Sequence, residues 1–544
     1  MDNLPLDPYG RSASGRNGAV AAATFEASKV GVAILRAGGN AVDAAVAGGF
    51  VNGVLEPNAN GLGGGGFMII KLAGMVEAVV IDFREAAPKG AVPTMFKVDD
   101  EGHPAGDATI TGGLAAGVPG ETAGLLCALE QFGSRKLTRA QILQPAIDFA
   151  AGGFPVSANL SSHLQAERER LNRFPASAAI YLPEGQLLPP GAWLRNPDAA
   201  RTLELIAARG RDAFYRGPVA ERIAAEVQRT GGIMTLEDLA AYEPRIRQPI
   251  LGSYRGCTLL TVPLASAGGI HLVELLNVME TFDLAKTGAG TAGTLHLWAE
   301  ALRQVFAGRA RYLADRELDE LPWAGLTAKA HARELAARIA PGRLAPRSEE
   351  GGPVRPGPGC TTHLSVMDQA GNMAAVTKTL NNFFGCAVTV PGTGILLNDT
   401  MDDFVPSPGS VNSVGPGKRP FSSCCPTLVL DPEGRPFLSV GSPGSLRIFP
   451  TVAQILSNVI DFGMNIAEAI NAPRLFQADR GELEVEGRIS VTAYNGLVGL
   501  GHSVLIREDW DKFFGGAQAV LLDPGSRILT GSGDPRRDGR AAAF

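Results

Sequence analysis

The chain has 544 residues, of which 45% are hydrophobic and 19% are charged, and its formal net charge is −6. A globular chain of this composition can bury a large core, and its acidic balance gives it no general attraction to nucleic acid. Six cysteines without metal-ligand spacing and seven scattered histidines argue against structural disulfides, a zinc site and a histidine-based triad. The first 17 residues hold no apolar signal-peptide segment, and no run is long enough to span a membrane, so we expect a cytoplasmic location.

Helical periodicity and strand-like runs alternate along the chain. The predicted helices are residues 27–36, 41–51, 137–151, 199–208, 219–230 and 296–313. The predicted strands are residues 68–71, 77–81, 259–262, 427–430 and 437–439. In the last helix, Glu300, Arg303 and Arg309 are interpreted as a solvated face.

A glycine run follows the second predicted helix, and Gly61, Gly63 and Gly66 formally fit the dinucleotide-binding pattern. That pattern needs a strand before it and a helix after it, whereas here a strand-like run follows the glycines. We therefore interpret the run as a tight backbone loop near an active site.

The most informative stretch spans residues 348–381. Residues 348–360 are charged and then rich in glycine and proline, which predicts a flexible loop. Two strand-like runs follow, 364–368 and 374–379, joined by a turn-forming sequence. A hairpin with its apex near Ala370 places Thr379 opposite Thr361, with Asn381 just beyond. The sequence therefore predicts two hydroxyls and an amide at one end of a hairpin.

Thr361 is the candidate nucleophile. A threonine hydroxyl needs an adjacent base, and cutting the preceding peptide bond would free the residue's own α-amine for that role. An α-amine with a pKa of about 7.7–8.0 is partly neutral near physiological pH. We predict self-cleavage between Cys360 and Thr361, giving a large subunit of residues 1–360 and a small catalytic subunit of residues 361–544. A bare Thr-Thr pair is more typical of an ordinary strand start, because β-branched residues favour strands, so this motif alone favours that simpler interpretation.

Further motifs extend from the hairpin to both sides. They include Thr361-Thr362-His363-x-Ser365-Val366, Thr379-Leu380-Asn381-x-x-Phe384-Gly385, Met401-Asp402-Asp403-Phe404, Lys418-Arg419-Pro420-x-Ser422-Ser423, Gly441-Ser442-Pro443-Gly444, Gly63-Gly64-Gly65-Gly66-Phe67 and Asp82-Phe83-Arg84-Glu85. Through these motifs the sequence resembles the γ-glutamyltransferase (γ-glutamyltranspeptidase) family of N-terminal-nucleophile hydrolases, and the resemblance spans nearly the whole chain. The resemblance implies an α+β fold, a four-layer αββα sandwich assembled from both halves of an autocleaved precursor.

The resemblance also implies roles for individual residues at the reacting bond. Thr361 is the nucleophile, Thr379 hydrogen-bonds its amine or hydroxyl, and the backbone N–H groups of Gly444 and Ser445 form an oxyanion hole. Asn381 helps to hold the amino-acid end of the substrate.

A second group of residues matches the pocket in which the family binds the γ-glutamyl substrate, called the donor socket below. Arg84 would grip the donor's α-carboxylate, since a planar guanidinium can meet a carboxylate with two parallel hydrogen bonds. Ser422 and Ser423 would hydrogen-bond the same carboxylate, and Asp403 would bind the α-ammonium group. The resemblance thus implies a socket for a zwitterionic glutamyl head.

Three departures from the family pattern bear on specificity. Thr400 stands where the γ-glutamyl enzymes usually have Gln or Glu, which alters amine recognition. Ser445 replaces a glycine, which is tolerable if its φ stays negative and doubtful otherwise. Residues 405–417 are too few for the usual substrate-covering lid. These features and the run 443–450 are similar to the glutaryl-cephalosporin acylase branch, whereas Asp402 and Asp403 favour a donor with an α-amine.

The sequence therefore favours an autoprocessed enzyme that moves γ-glutamyl groups from glutathione-like amides to water, an amino acid or a peptide. The expected partners are these small molecules and the second subunit of the same precursor, and no cofactor, metal, nucleic acid or membrane is expected. A cephalosporin-acylase-like amidohydrolase is one alternative. A relative that does not process itself and only binds a ligand is another.

Overall fold

A computed structural model describes residues 9–100, 102–312, 323–345 and 360–544. The loop predicted for residues 348–360 lies outside these ranges except for Cys360. All six cysteines are described, and each is a free thiol. Among the described residues, no helix has both the length and the apolar content to cross a bilayer.

The strands of the described residues are short and spread along the whole chain. They are β1 (Ser12–Gly15), β2 (Gly18–Ala22), β3 (Gly65–Lys71), β4 (Val79–Phe83), β5 (Phe154–Pro155), β6 (Trp193–Leu194), β7 (Arg245–Arg247), β8 (Ile250–Tyr254), β9 (Cys257–Thr261), β10 (Thr362–Asp368), β11 (Met373–Thr379), β12 (Thr389–Val390), β13 (Ile395–Leu396), β14 (Thr427–Leu430), β15 (Pro436–Gly441), β16 (Leu475–Phe476), β17 (Leu483–Glu486), β18 (Val504–Arg507), β19 (Gln518–Leu522), β20 (Leu529–Gly533) and β21 (Arg540–Ala543).

The helices of the described residues lie between these strands. They are α1 (Phe25–Arg36), α2 (Ala41–Leu55), α3 (Glu121–Phe132), α4 (Arg139–Gly152), α5 (Ala158–Ala166), α6 (Arg168–Asn172), α7 (Pro175–Tyr181), α8 (Pro197–Arg209), α9 (Asp212–Tyr215), α10 (Pro218–Arg229), α11 (Leu236–Ala241), α12 (Gly268–Glu280), α13 (Leu284–Thr287), α14 (Ala292–Tyr312), α15 (Trp323–Leu326), α16 (Lys329–Ala336), α17 (Ile448–Ile460), α18 (Ile466–Asn471) and α19 (Val491–Gly499).

Two seven-stranded antiparallel sheets form the centre of the molecule. Sheet A has the order β1-β20-β19-β15-β14-β9-β8, and sheet B has the order β21-β2-β10-β11-β3-β4-β7. In sheet B, β10 and β11 follow Thr361 in the sequence, whereas their neighbours β2 and β3 precede it. The two halves of the chain are therefore interleaved within one sheet, and neither half has the strands to build it alone.

Side-chain alternation along the strands produces four layers. On β3, Phe67 and Ile69 belong to the buried apolar cluster between the two sheets. The intervening Met68 and Ile70 belong to a second cluster, which includes Phe50 of α2. Successive side chains of a strand point to opposite faces, so sheet B packs on sheet A with one face and on helices with the other. A third cluster, with residues of α12, α14 and α17, covers the outer face of sheet A. The αββα sandwich predicted from the resemblance is confirmed.

The helix pair before the glycine run is also confirmed, and local chemistry explains its break. Gly38 has a φ of +94°, a left-handed conformation that ends α1. The side-chain oxygen of Asn40 accepts hydrogen bonds from the N–H groups of Val42 and Asp43, and Asp43 accepts one in return from the Asn40 N–H. This capping box begins α2 at Ala41.

The interpretation of Glu300, Arg303 and Arg309 as a solvated face is wrong. Glu300 is fully buried and Arg303 is 7% exposed, and the two side chains form an ion pair 2.5 Å long. Glu300 also accepts a hydrogen bond of 3.0 Å from the N–H of Ala345. Helical spacing shows which residues share a face of α14, but it does not show that a later segment of the chain covers that face.

Candidate active site

The hairpin that carries Thr361 has the predicted register. Thr362 of β10 pairs with Lys378 of β11, so Thr361 and Thr379 meet at the open end. Their hydroxyl oxygens are 3.3 Å apart, and both residues are 4% exposed. At the closed end, the Asp368 carboxylate accepts hydrogen bonds from the N–H groups of the turn. Two hydroxyls are thus held together in the middle of sheet B by strand pairing.

The bond predicted to break lies directly beside these hydroxyls. The Thr361 hydroxyl donates a hydrogen bond to the Cys360 carbonyl oxygen, and the Thr379 hydroxyl oxygen lies 3.4 Å from that oxygen. The Cys360 thiol donates to the carbonyls of Asn58 and Ala59 at 3.2 and 3.3 Å. Burial raises the pKa of this thiol well above its ordinary value, which keeps it protonated and able to donate. The Cys360 side chain is therefore anchored by the backbone before β3, while the Cys360 carbonyl faces the Thr361 hydroxyl.

Arg537 contacts the other side of Thr361, and no sequence motif indicates this role. Its Nη1 donates a hydrogen bond of 3.1 Å to the Thr361 carbonyl oxygen, in a buried setting. Burial raises the pKa of nearby Glu56 to about 7, and the positive charge of Arg537 opposes that rise. No motif distinguishes Arg537 from the other arginines. Its contact with the Thr361 carbonyl arises only because the loop before β21 returns the chain to sheet B.

We expect Arg537→Met to slow self-cleavage by about 10- to 100-fold. The reason is that the variant loses one hydrogen bond to a charged group, which contributes about 1.5–3 kcal/mol. The uncut fraction should be followed by intact mass over time after purification. Arg209→Met, which changes an exposed arginine at the end of α8, is the matched control. Cleavage of Arg537→Met at the wild-type rate would contradict the role given to this contact.

The glycine run forms the tight loop that the sequence predicts, next to the hydroxyl pair. Strand β3 follows it directly, and Gly65 pairs with Thr379. A Cβ atom on Gly64 would lie 2.3 Å from the Thr379 carbonyl oxygen, so only glycine allows this approach. A strand rather than a helix follows the glycines, which excludes the dinucleotide-binding pattern here.

Asn381 lies just past Thr379, as predicted. Its φ is +82°, and its N–H donates a hydrogen bond of 2.8 Å to the Thr379 hydroxyl. Its side-chain amide donates to the Asp399 carbonyl oxygen at 3.2 Å. The Asp399 carboxylate in turn accepts from the Asn382 N–H and amide at 2.9 and 2.7 Å. This buried carboxylate fixes the turn that places Asn381 beside the nucleophile.

Arg84 is the centre of a buried ionic cluster beside the hairpin. It is 1% exposed, pairs with Glu85 at 3.0 Å, and forms a second ion pair with Asp403. Its Nε and Nη2 also donate to the carbonyls of Pro420 and Phe421, each at 3.4 Å. Burial raises the pKa of the Glu85 carboxyl, and Arg84 opposes that rise. Arg84 thus makes its contacts with the protein itself.

The cluster is open to solvent on the Asp403 side. The Asp403 side chain is 32% exposed, whereas those of Arg84 and Glu85 are buried. A Cβ atom on Gly65 would lie 2.5 Å from Glu85 Oε2, so the cluster adjoins the residue that pairs with Thr379. The structure therefore brings the predicted donor socket next to the predicted nucleophile.

The remaining socket residues lie around Asp403. Thr400 is 1% exposed and begins the short 3-10 turn that ends with Asp403. Ser422 is buried, and its hydroxyl accepts a hydrogen bond of 3.0 Å from the Cys424 N–H. Ser423 is half-buried, and its hydroxyl lies 3.5 Å from Nη2 of Arg309. Arg309 therefore contacts a predicted socket residue instead of lying on the solvated face that its helical spacing indicated.

The short segment 405–417 closes on itself near the socket. The Val405 N–H donates to the Asn412 carbonyl at 2.9 Å, and the Asn412 amide donates to the Asp403 carbonyl at 2.6 Å. Lys418 Nζ donates to the carbonyls of Val411 and Ser413 at 2.5 and 3.0 Å. These bonds make a compact loop that leaves the Asp403 side chain partly exposed.

Ser445 does not meet the condition of a negative φ on which its replacement of a glycine depends. Gly444 has a φ of +134° and Ser445 a φ of +54°, so both lie in the left-handed region. A non-glycine residue there costs about 1–2 kcal/mol. Within the described part of the chain, neither backbone N–H has a hydrogen-bond acceptor. Two unused backbone donors at adjacent residues are what an oxyanion hole requires.

His363 packs beside this segment, and both of its ring nitrogens contact protein hydroxyls. Its ring lies against Gly441, where a Cβ atom would be 2.3 Å from the imidazole. Its two ring nitrogens bond to the hydroxyls of Thr377 and Ser365 at 2.8 and 2.9 Å. Burial lowers the pKa of His363 to about 3, so it is neutral at physiological pH.

We expect Gly444→Ala to lower kcat by about 100-fold, as the loss of an oxyanion donor does. A Cβ atom at this position would meet its nearest neighbour at 3.4 Å, so the change acts on the backbone conformation rather than through a clash. Ser445→Gly is the matched control and should keep kcat within about threefold, because glycine accepts a positive φ and retains the N–H. Steady-state kinetics of both variants test this. Full activity in Gly444→Ala would contradict the oxyanion assignment.

Comparison with known proteins agrees with this geometry. A family model described as Gamma-glutamyltranspeptidase matches residues 27–544. The chain is 42% identical over 539 residues to the Glutathione hydrolase proenzyme of Escherichia coli (strain K12), covering 96% of this chain and 90% of that protein. It is 39% identical over 539 residues to the Acylase ACY 1 proenzyme of Pseudomonas sp. (strain SE83), covering 98% and 95%. The crystal structure of cephalosporin acylase from Bacillus halodurans superposes with a TM-score of 0.88 at 28% identity, over 99% of both chains.

Proposed function

This chain belongs to the gamma-glutamyltranspeptidase family of enzymes, and from that premise we propose that it cleaves itself before Thr361 and then transfers γ-glutamyl groups. The donors are glutathione-like amides, and the acceptors are water, amino acids or peptides. The observation that carries the proposal is the contact of the Thr361 hydroxyl with the Cys360 carbonyl, with the Thr379 hydroxyl 3.3 Å away.

Self-cleavage follows from this contact as an acyl shift. The Thr361 hydroxyl oxygen attacks the Cys360 carbonyl carbon, the C–N bond breaks, and the proton from the hydroxyl passes to the departing amine. The product is an ester between Cys360 and Thr361, which water hydrolyses to a Cys360 carboxylate and a free Thr361. Because strands from both halves pair with each other in sheet B, we expect the two subunits to stay together as a heterodimer.

Turnover uses the group that cleavage creates. The neutral α-amine of Thr361 takes the hydroxyl proton while the oxygen attacks the donor's γ-carbonyl carbon. The N–H groups of Gly444 and Ser445 stabilise the resulting oxyanion. The intermediate collapses to a γ-glutamyl-Thr361 ester, and the leaving amine takes the proton. Water or an acceptor amine then attacks this ester and restores the free Thr361 hydroxyl.

Donor recognition is assigned to the socket beside the hairpin. Asp403, partly exposed and held by Arg84, binds the α-ammonium group. Ser422 and Ser423, with the arginines around them, bind the α-carboxylate. A zwitterionic head bound in this way presents its γ-carbonyl carbon to Thr361.

An acylase activity on glutaryl amides is the second candidate. A glutaryl group has the carboxylate of a γ-glutamyl group but lacks its α-amine. Two observations favour this candidate: Thr400 offers less to an amine than Gln or Glu does, and the compact loop 405–417 leaves room for a bulky leaving group. The similarity to the acylase proenzyme points the same way.

Intact-mass measurement under denaturing conditions, followed by two assays, tests the proposal. We expect chains of 360 and 184 residues, the second beginning at Thr361. We also expect faster turnover of γ-glutamyl-p-nitroanilide than of glutaryl-p-nitroanilide. The reverse preference would establish the acylase instead, and a chain that stays uncut on incubation would favour a binding protein that does not process itself.

A further inference from the structure

Arg447 joins the candidate oxyanion hole to an aromatic ring in the C-terminal part of the chain. Its N–H donates a hydrogen bond of 3.0 Å to the Gly444 carbonyl oxygen, which closes the turn that contains Gly444 and Ser445. Arg447 is buried, and its guanidinium carbon lies 4.3 Å from the centre of the Phe513 ring. A guanidinium within about 6 Å of an aromatic face makes an attractive cation–π contact. The oxyanion turn and the ring are therefore connected through one side chain.

Phe513 is itself held by several neighbours. It lies in a short 3-10 turn, where its N–H donates a hydrogen bond of 2.9 Å to the Asp511 carboxylate. Its ring packs against the rings of Phe476 and Phe514, whose centres are 5.8 and 5.1 Å away. The guanidinium carbon of Arg507 lies 3.5 Å from the centre of the same ring. The position of the Phe513 ring is therefore fixed by contacts other than the one with the oxyanion turn.

The two guanidinium groups at this ring are balanced by two carboxylates. Arg507 forms an ion pair with Glu484 and a longer one with Asp511, at 3.6 Å. Burial lowers the pKa of Arg447 to about 10 and the charge of Arg507 adds to that shift, whereas Glu484 and Asp511 oppose it. Arg447 therefore stays charged at neutral pH, as a cation–π contact requires.

The backbone that follows this ring also lies directly on the candidate oxyanion hole. A Cβ atom on Gly444 would lie 3.4 Å from the Cα atom of Gly515. The Gly516 N–H donates a hydrogen bond of 3.2 Å to the Ser442 hydroxyl, which donates one of 2.7 Å to the Pro443 carbonyl oxygen. The aromatic ring and the oxyanion turn thus belong to one packed unit.

Building on the function proposed above, we propose that Phe513 is a positioning residue for the oxyanion hole. Its ring holds the Arg447 guanidinium, and Arg447 holds the turn that presents the N–H groups of Gly444 and Ser445. Because Ser445 has an unfavourable φ of +54°, this turn depends on surrounding contacts to keep its conformation. An oxyanion donor stabilises the transition state rather than the bound substrate, so the Phe513 contact acts on kcat and leaves KM unchanged.

The test is a double-mutant cycle on cleaved enzyme with γ-glutamyl-p-nitroanilide as the donor. We expect Phe513→Leu, which removes the aromatic face but keeps an apolar side chain, to lower kcat by about 3- to 30-fold with KM within about twofold, the effect of one lost cation–π contact. Arg447→Met should lower kcat at least as much. The double variant should be no slower than the slower single variant, because both substitutions remove the same contact. Glutaryl-p-nitroanilide should show the same decreases, since the oxyanion forms on either acyl group.

Two further variants separate this contact from a general loss of packing. Phe513→Tyr keeps the aromatic face and should keep kcat near the wild-type value. Phe282→Leu is the matched control and should also keep it, because Phe282 is another partly buried phenylalanine packed against the same core cluster. Intact masses show whether each variant has folded and cleaved itself, a step that the proposed mechanism does not assign to the oxyanion turn.

An unchanged kcat in Phe513→Leu, a change confined to KM, or additive decreases in the double variant would overturn the inference while leaving the proposed function in place. Absence of turnover in the cleaved wild-type enzyme with either donor would instead overturn the proposed function, and the inference with it.

Discussion

Thr361→Ala is expected to leave the protein as one uncut chain of 544 residues without measurable turnover. The variant lacks the hydroxyl that contacts the Cys360 carbonyl, so the acyl shift has no nucleophile. Without cleavage, the α-amine base of the catalytic cycle is not formed either. Removing a nucleophile of this kind lowers turnover by at least about 10⁴-fold. Intact mass and p-nitroanilide release report the two effects separately.

Thr361→Ser is the matched control for this prediction. Serine keeps the hydroxyl and loses only a methyl group, so the variant should still cleave itself and turn over substrate at a reduced rate. Correct folding of Thr361→Ala should be evident from its thermal unfolding, since the residue is a small one that directly precedes β10. Cleavage between residues 360 and 361 in the alanine variant would show that another group is the nucleophile.

Asp403→Asn is expected to lower kcat/KM for γ-glutamyl-p-nitroanilide by roughly 10²- to 10³-fold or more. This factor corresponds to a loss of about 3–5 kcal/mol in transition-state stabilisation. Asparagine has the shape of aspartate, but it lacks the negative charge that meets the α-ammonium group. The Asp403 side chain is 32% exposed and paired with Arg84, so it can receive a ligand from the open side while it is held from the buried side.

The same substitution should affect glutaryl-p-nitroanilide much less, because that donor has no ammonium group to bind. The decrease in kcat/KM with the glutaryl donor measures the disruption of the Asp403–Arg84 pair. The difference between the decreases for the two donors measures recognition of the α-amine. Kinetics with both substrates on cleaved enzyme separate these effects. An equal loss with both donors would mean that Asp403 only holds Arg84, and that the amine is recognised elsewhere.

The hairpin around Thr361 could be predicted from the sequence because its geometry is local. The turn residues set its apex near Ala370, and residues at equal distances from the apex pair across the two strands, so Thr379 had to meet Thr361. The glycine run was interpretable for a similar reason, since a strand-like segment follows it directly. The break between α1 and α2 likewise depends on neighbouring residues alone.

The errors concern contacts between residues far apart in the chain. Glu300 and Arg303 have the spacing of an exposed helix face, yet Glu300 is hydrogen-bonded to Ala345, 45 residues later in the chain. The φ of Ser445 depends on how the segment after β15 enters α17, which no single residue reveals. Arg537 and Arg309 are arginines in ordinary sequence settings, and only the folded chain brings one to the Thr361 carbonyl and the other to Ser423.

The sequence by itself determined the family resemblance, the nucleophile hairpin and the predicted cleavage point, because these depend on residue type, turn chemistry and short-range spacing. The tertiary structure alone decided which charges are buried together around Asp403, which backbone N–H groups lack an acceptor, and which arginine lies beside Ser423. Electrostatic and hydrogen-bonding roles depend on distance and desolvation in three dimensions, and these are set by how sheets A and B and their helices pack.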